Sequence, residues 1–237
     1  MKSKSSLLLV GIFGMAATGV AAAAAQGWSG EGELGIVTTS GNTKNKTINA
    51  KAKAGHESQD WRHGVQLEAY NSADADRTTA ERYLAAGKSD YKLSDVDYVF
   101  GMLTYENDRY AGFDYRISEV LGYGRKVIQQ PTMSLDLEAG PGARQTKLID
   151  GTRNDEFIVR VGGEFKWKLS DMADFTETAS ADIGEDSTII KSVTALKAKV
   201  SGALAMKLAY TVRNNSEVAI GTKKTDTETA LTLVYGF

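Results

Sequence analysis

The feature that most limits the fold of this chain is a two-residue alternation that continues to its last position. In Asp226–Phe237, Leu231, Leu233, Tyr235 and Phe237 fall on one face, and small or polar residues fall on the other. Alternation with period two is typical of a β-strand whose two faces meet different environments. A strand whose apolar face extends to a terminal aromatic residue is typical of an outer-membrane β-barrel, in which that face meets lipid.

The same alternation occurs in earlier segments and predicts about twelve strands in all. The clearest case is 157–168, where Phe157, Val159 and Val161 alternate with Ile158 and Arg160. The predicted strands cover 28–37, 47–56, 61–70, 80–92, 97–106, 115–127, 133–146, 157–168, 175–183, 192–204, 207–213 and 226–237.

Short and longer connections alternate between these segments. The short ones lie near 58–60, 93–96, 128–132, 170–173 and 205–206, and polar, longer ones separate them. This is the pattern of an even-stranded up-and-down barrel with short turns on the periplasmic side. Trp28, Trp61, Trp167 and Tyr98 then lie near the periplasmic rim, as expected of an aromatic girdle. The sequence predicts one all-β domain, 26–237, an antiparallel transmembrane barrel closed by its first and last strands.

Two alternatives to this fold and role stay open at the level of sequence. A soluble periplasmic barrel that binds a ligand also alternates, but its apolar side chains face inward. The charged second face of strand after strand favours the membrane barrel instead. The other alternative is a barrel that modifies envelope lipids.

The first 25 residues predict export from the cytoplasm. Lys2 and Lys4 precede an apolar run over 7–15 and a small-residue stretch over 21–25, which together are typical of a cleaved signal peptide. We therefore expect a location in the bacterial outer membrane. The formal charge of −2 shows no basic block, which argues against nucleic acid as a partner. The absence of cysteine excludes disulfides.

The polar faces of the strands supply the candidate functional residues. They predict a charged lumen lined by Glu31, Glu33, Lys51, Lys53, Arg62, Glu68, Arg82, Lys88, Arg116, Asp136, Glu138, Arg144, Arg160, Glu164, Lys166, Asp226 and Glu228. Twelve strands give a backbone radius of roughly 12 Å, so inward side chains leave little free space. The lumen is either closed by ion pairs or a narrow channel whose fixed charges control permeation.

The outward face predicts the partners. Leu231, Leu233, Tyr235 and Phe237 form the expected assembly signal for the barrel-assembly machinery, and the apolar wall is expected to contact outer-membrane lipid and lipopolysaccharide. We expect a monomer.

An enzyme is not predicted. The two histidines of the chain, His56 and His63, flank a turn that contains Ser58, and the alternation of their strands places both on the outer rim. A lipid hydrolase needs a nucleophile, a base and an orienting group together, and one that acts on the outer leaflet would carry its histidine at the opposite end.

No metal site or cofactor is predicted either. Asp74 with Asp76, or Glu185 with Asp186, offers two loop carboxylates, which are too few for a calcium-type site.

Four segments resemble a family of outer-membrane proteins, the domain-of-unknown-function family 481, often labelled salt-induced outer membrane proteins. They are Leu34–Thr43, Leu121–Val127, Leu137–Arg144 and Asp226–Phe237, and the Ser-Gly-Asn-Thr in the first is the most specific. The resemblance implies a monomeric outer-membrane barrel and, through the label alone, a link to salt stress. The family brings no assigned catalytic or binding residues.

Overall fold

A computed structural model describes residues 27–39, 45–74, 77–218 and 223–236. Phe237 and the predicted signal peptide lie outside the described residues. The described chain contains twelve strands: β1 Trp28–Thr39, β2 Asn45–Glu57, β3 Trp61–Asp74, β4 Arg77–Lys92, β5 Asp97–Asp108, β6 Phe113–Gln129, β7 Met133–Leu148, β8 Arg153–Ser170, β9 Ala173–Gly184, β10 Thr188–Ser201, β11 Leu204–Asn215 and β12 Thr225–Gly236.

The strands form one closed antiparallel barrel in which each strand pairs with its neighbours in sequence. β1 and β12 close the sheet through pairs from Glu31 with Gly236 to Leu34 with Leu233. Closure leaves no unpaired sheet edge facing lipid. The predicted fold class is therefore confirmed. No helix among the described residues is long and apolar enough to cross a membrane.

The five short turns all lie at one end of the barrel, which we call the turn end; the opposite end is the loop end. Several predicted boundaries were wrong: the fourth and tenth strands, for example, begin at Arg77 and Thr188 rather than at 80 and 192. The sequence predicted the turn between the tenth and eleventh strands at 205–206, but β10 ends at Ser201 and β11 begins at Leu204. The turn forms earlier because Gly202 takes a left-handed conformation, with φ of 55°, which glycine adopts without steric cost.

The two faces of the wall have opposite character. In β12, Leu231 and Leu233 on the outer surface are each 53% exposed, whereas Thr232 and Val234 on the inner surface are 5% and 2% exposed. Large apolar side chains cover the outside of the other strands in the same way. A soluble barrel has the reverse arrangement, so this alternative is not supported.

The largest apolar cluster lies inside the wall between β5 and β8. It consists of Tyr98, Phe100, Val120 and Ile158. Tyr98 packs so closely over Gly124 that a Cβ there would lie 2.3 Å from its ring, and Phe100 covers Gly122 in the same way. Tyr98 was therefore placed wrongly in the outer aromatic girdle: the bare glycine backbone of β6 provides a surface for its ring inside the barrel.

Candidate functional site

The lumen contains a cavity of about 640 Å³ that is entered from the turn end. Ser29, Glu57 and Arg62 line it near the turns, and Glu106, Ile189 and Arg213 line its inner end. Glu106 is two residues from the loop-end terminus of β5, and Arg213 is two residues from that of β11. The cavity therefore runs through most of the barrel's length.

Near the turn end, five charged residues on β3, β4 and β7 form a network, which we call the mouth cluster: Arg62, Lys88, Asp90, Asp136 and Glu138. Arg62 Nε lies 2.6 Å from Asp90 Oδ2, and its Nη1 lies 3.5 Å from Asp136 Oδ2. Lys88 pairs with Asp90 at 3.2 Å and also with Glu138. The widest of these contacts, Arg62 with Asp136, joins strands four positions apart, so the network does not reach the diametrically opposite wall.

Aromatic rings support the mouth cluster. Arg62 lies over the ring of Tyr98 at 5.0 Å, and the Lys88 ammonium lies 4.9 Å from the centre of the Phe100 ring. The Tyr98 hydroxyl donates a 2.7 Å hydrogen bond to Glu138. Cation–π contacts of this kind are favourable where water is partly excluded. The apolar cluster thus positions the charges as well as filling the wall.

At the inner end of the cavity, one ion pair crosses the lumen to the opposite wall. Arg213 on β11 contacts Glu106 on β5 at 2.7 Å, although these strands are six positions apart around a twelve-stranded barrel. Arg116 lies 3.9 Å from the same carboxylate. Arg82 reaches Glu228, four strands away, at 3.3 Å. We call these five residues the loop-end belt.

Not every charged residue near the loop end belongs to the cavity lining. Arg82, Glu228 and Arg144 do not line the cavity. Arg144 is 1% exposed, contacts Glu156 at 2.7 Å and donates to the Ser187 carbonyl. In the described part of the chain, buried ion pairs therefore occupy part of the lumen at the loop end.

The remaining inward charges pair along the wall. These pairs are Glu31 with Lys197, Glu33 with Lys207, Lys51 with Glu68, Arg160 with Asp182 and Glu164 with Lys166. Their side chains are part-buried, apart from the more exposed pair Glu164 and Lys166. They hold neighbouring or nearby strands together without reaching the opposite wall.

The seventeen residues predicted to line the lumen all lie at inward positions. Fifteen take part in the ion pairs described above. Lys53 lines the cavity without an ion-pair partner among the described residues, and Asp226 lies beside Arg213 in the β11–β12 register.

Several lumen residues were missed at the level of sequence. They are Asp90, Glu106, Glu156, Asp182, Lys191, Lys197, Lys207 and Arg213. The alternation in the fourth, fifth and tenth segments is mixed, so their inward face was uncertain. In β11 a signal was available, because Met206, Leu208 and Tyr210 are exposed on the outside and Lys207 and Arg213 alternate with them.

The histidines lie on the outer rim at the turn end. His56 and His63 face each other across the β2–β3 pair. His63 stacks on Trp61 at 5.5 Å and its Nδ1 lies 2.9 Å from Ser89 Oγ. The Ser58 hydroxyl donates to the Trp61 carbonyl instead. The geometry does not join Ser58 to a histidine.

The acidic loop candidates do not gather into a metal site in the described residues. No group of three or more metal-binding side chains occurs there. Asp76 lies outside the described residues, and the Asp186 backbone N–H donates to Glu156.

Comparison with known proteins identifies the family. The profile of the family described as "Protein of unknown function, DUF481" matches residues 32–237. The chain belongs to the DUF481 family. A relative, the uncharacterized protein YdiY of Escherichia coli strain K12, is 32% identical over 215 residues, which are 90% of this chain and 85% of that protein.

Solved structures similar to this DUF481 barrel share its fold at low sequence identity. The NanC porin has a TM-score of 0.55 at 9% identity and is matched over 88% of this chain and 98% of its own. An outer membrane channel from Pseudomonas putida F1 has a TM-score of 0.52 at 9% identity, over 89% and 95%. These likenesses establish an outer-membrane barrel fold, with an apolar wall suited to lipid contact.

Proposed function

We propose that this DUF481 barrel is a narrow passive pore of the outer membrane, and that the loop-end belt is its constriction. The observation that carries the proposal is the 2.7 Å contact between Arg213 and Glu106 across the lumen, in a cavity that runs from the turn end through most of the barrel. Rings of fixed charge at a constriction control ion passage.

The constriction consists of side chains alone. Arg213, Glu106 and Arg116 are long and flexible, and no backbone segment from the described residues enters the lumen at their level. Rotamer changes of such side chains are fast compared with the passage of an ion. An ion pair across the lumen therefore narrows the path without sealing it permanently, which favours small conductance steps.

The proposal includes location and assembly. Export depends on the N-terminal signal peptide. Recognition of Leu231, Leu233, Tyr235 and Phe237 by the assembly machinery is supported by the outward, exposed positions of the first three. Phe237→Ala is expected to lower the yield of folded protein in the membrane without changing the conductance of the barrels that do assemble. Normal yield would contradict the assembly role.

Planar-bilayer recording tests the pore. Wild type is expected to give small, stable steps, and Arg213→Ala steps roughly two- to threefold larger, because the constriction loses one side. Lys207→Ala is the matched control: Lys207 lies on the same strand and pairs with Glu33 at 2.8 Å along the wall, so its loss leaves the constriction intact.

Folding of each variant is checked by its shifted migration on a denaturing gel before and after boiling. Bilayers that stay silent with folded wild type and folded Arg213→Ala would identify a closed structural barrel and overturn the pore. Equal steps for Arg213→Ala and wild type would reject the belt as the constriction.

A further inference from the structure

The charge that lines the cavity changes sign along its length. In the half near the turn end, four cations face five carboxylates: Lys53, Arg62, Lys88 and Lys166 against Glu57, Asp90, Asp136, Glu138 and Glu164. At the inner end, four cations face two carboxylates: Arg116, Arg160, Lys191 and Arg213 against Glu106 and Asp182. We call these six residues the inner cluster.

The carboxylates of the inner cluster are already engaged. Glu106 is shared by Arg213 at 2.7 Å and Arg116 at 3.9 Å, and Asp182 is held by Arg160 at 2.6 Å. Among the side chains that line this end, cations outnumber carboxylates by two. Burying like charges together is costly unless an opposite charge compensates them.

Lys191 is the clearest source of this excess. It projects from β10 into the cavity and has no carboxylate within ion-pair distance in the described part of the chain. Glu68, whose field acts on Lys191, is held by Lys51 at 2.6 Å. The Lys191 ammonium therefore has N–H donors available for a ligand.

Arg213 carries a second uncompensated donor. Its Nη1 binds Glu106, but its Nε is buried and has no hydrogen-bond acceptor among the described residues. Buried donors of this kind are rare in folded proteins because each one loses its hydration. An oxyanion bound at the inner end would supply the missing acceptor.

Neutral donors surround the same end of the cavity. The hydroxyls of Thr104, Ser118 and Ser180 line it, and hydroxyl groups donate to oxyanions without adding charge. A cavity of about 640 Å³ is in the usual size range for small-molecule sites. Cations, hydroxyls and volume thus occur together.

We infer that the inner end of the lumen binds a small oxyanion such as inorganic phosphate, held by Lys191 and Arg213. The Lys191 ammonium and the Arg213 Nε, which has no acceptor among the described residues, are the donors that it would use. The inference rests on the proposed function in one respect: it names the class of solute that the lumen takes from the turn end.

Equilibrium dialysis of folded, detergent-solubilised protein with labelled inorganic phosphate tests the site, and it needs no conductance. Wild type is expected to retain phosphate above a detergent blank, more weakly at high ionic strength. Lys191→Met is expected to weaken binding roughly tenfold, because it removes the free cation, and Lys191→Arg is expected to retain it.

Lys166→Met is the matched control. Lys166 lines the same cavity near the turn end, is 59% exposed and pairs with Glu164, so its loss should leave phosphate affinity unchanged. Equal losses of phosphate affinity in Lys191→Met and Lys166→Met would indicate only a general charge effect and would overturn the site.

If folded wild-type protein retained no phosphate, that result would also overturn the anion site. Retention with silent bilayers would instead reject the pore and leave the anion site standing. Conductance without retention would reject the site and leave the pore.

Discussion

The mouth cluster and the loop-end belt use the same chemistry with different outcomes. In the mouth cluster, Arg62 and Lys88 find their carboxylates within four strand positions, and the cavity continues beside them. In the belt, Arg213 finds Glu106 six strand positions away, so this pair spans the lumen. The span of an ion pair therefore decides whether it reinforces the wall or closes the lumen.

The difference has a packing origin. Beside the mouth cluster, Tyr98 and Phe100 pack over Gly124 and Gly122 and hold the cations against the wall through their ring faces. Glu106 follows on the same strand, but it lies beyond this apolar cluster and points to Arg213 across the lumen. Aromatic packing thus keeps the charges of one region on their own wall.

The largest expected effect comes from disturbing that packing. Gly140→Ala would place a Cβ 2.2 Å from the Leu121 carbonyl oxygen of the neighbouring strand. Because backbone must move, the free energy of unfolding is expected to fall by more than about 4–5 kcal/mol, as in the most severe overpacking defects, with a lower folded yield. Urea unfolding of vesicle-inserted protein measures this.

Gly64→Ala is the control, since a Cβ there meets nothing within 4 Å and the residue also faces inward on a strand. Similar losses for both variants would show that strand glycines matter only for backbone freedom, and not for the close approach of β6 and β7.

The next effect sharpens the contrast between buried and exposed pairs. Arg144→Met leaves Glu156, 6% exposed, without its cation, and is expected to lower the free energy of unfolding by about 3–5 kcal/mol, the usual result of orphaning a buried charge. Lys168→Met removes an ion pair with Asp171, whose side chain is 93% exposed, and no measurable loss of stability is expected. Equal losses of unfolding free energy in Arg144→Met and Lys168→Met, measured by urea unfolding, would show that Arg144 lies in a solvated site.

The smallest expected effect concerns conductance in the mouth cluster. Lys88→Met removes the contacts to Asp90 and Glu138, which follow one wall. Single-channel steps are expected to stay within roughly a fifth of wild type, because the constriction lies elsewhere. A change as large as that of Arg213→Ala would move the constriction to the mouth.

Much of the fold followed from local pattern. The number of strands, their antiparallel order and the outward positions of Leu231 and Leu233 are confirmed by the structure. The boundary at Gly202 and the inward position of Tyr98 were wrong, because a left-handed turn residue and a ring packed on glycine depend on neighbouring strands. The inward faces of the fourth, fifth and tenth segments were ambiguous for the same reason.

By itself, the sequence determined a closed membrane barrel with a charged lumen, because side chains of a strand alternate between two faces whatever lies opposite them. Only the tertiary structure decided which charges meet. Glu106 and Arg213 are 107 residues apart in the chain and come together only once the barrel has closed and its register has set them at one level. Their contact depends on wall separation and side-chain length, and neither is encoded in a two-residue period.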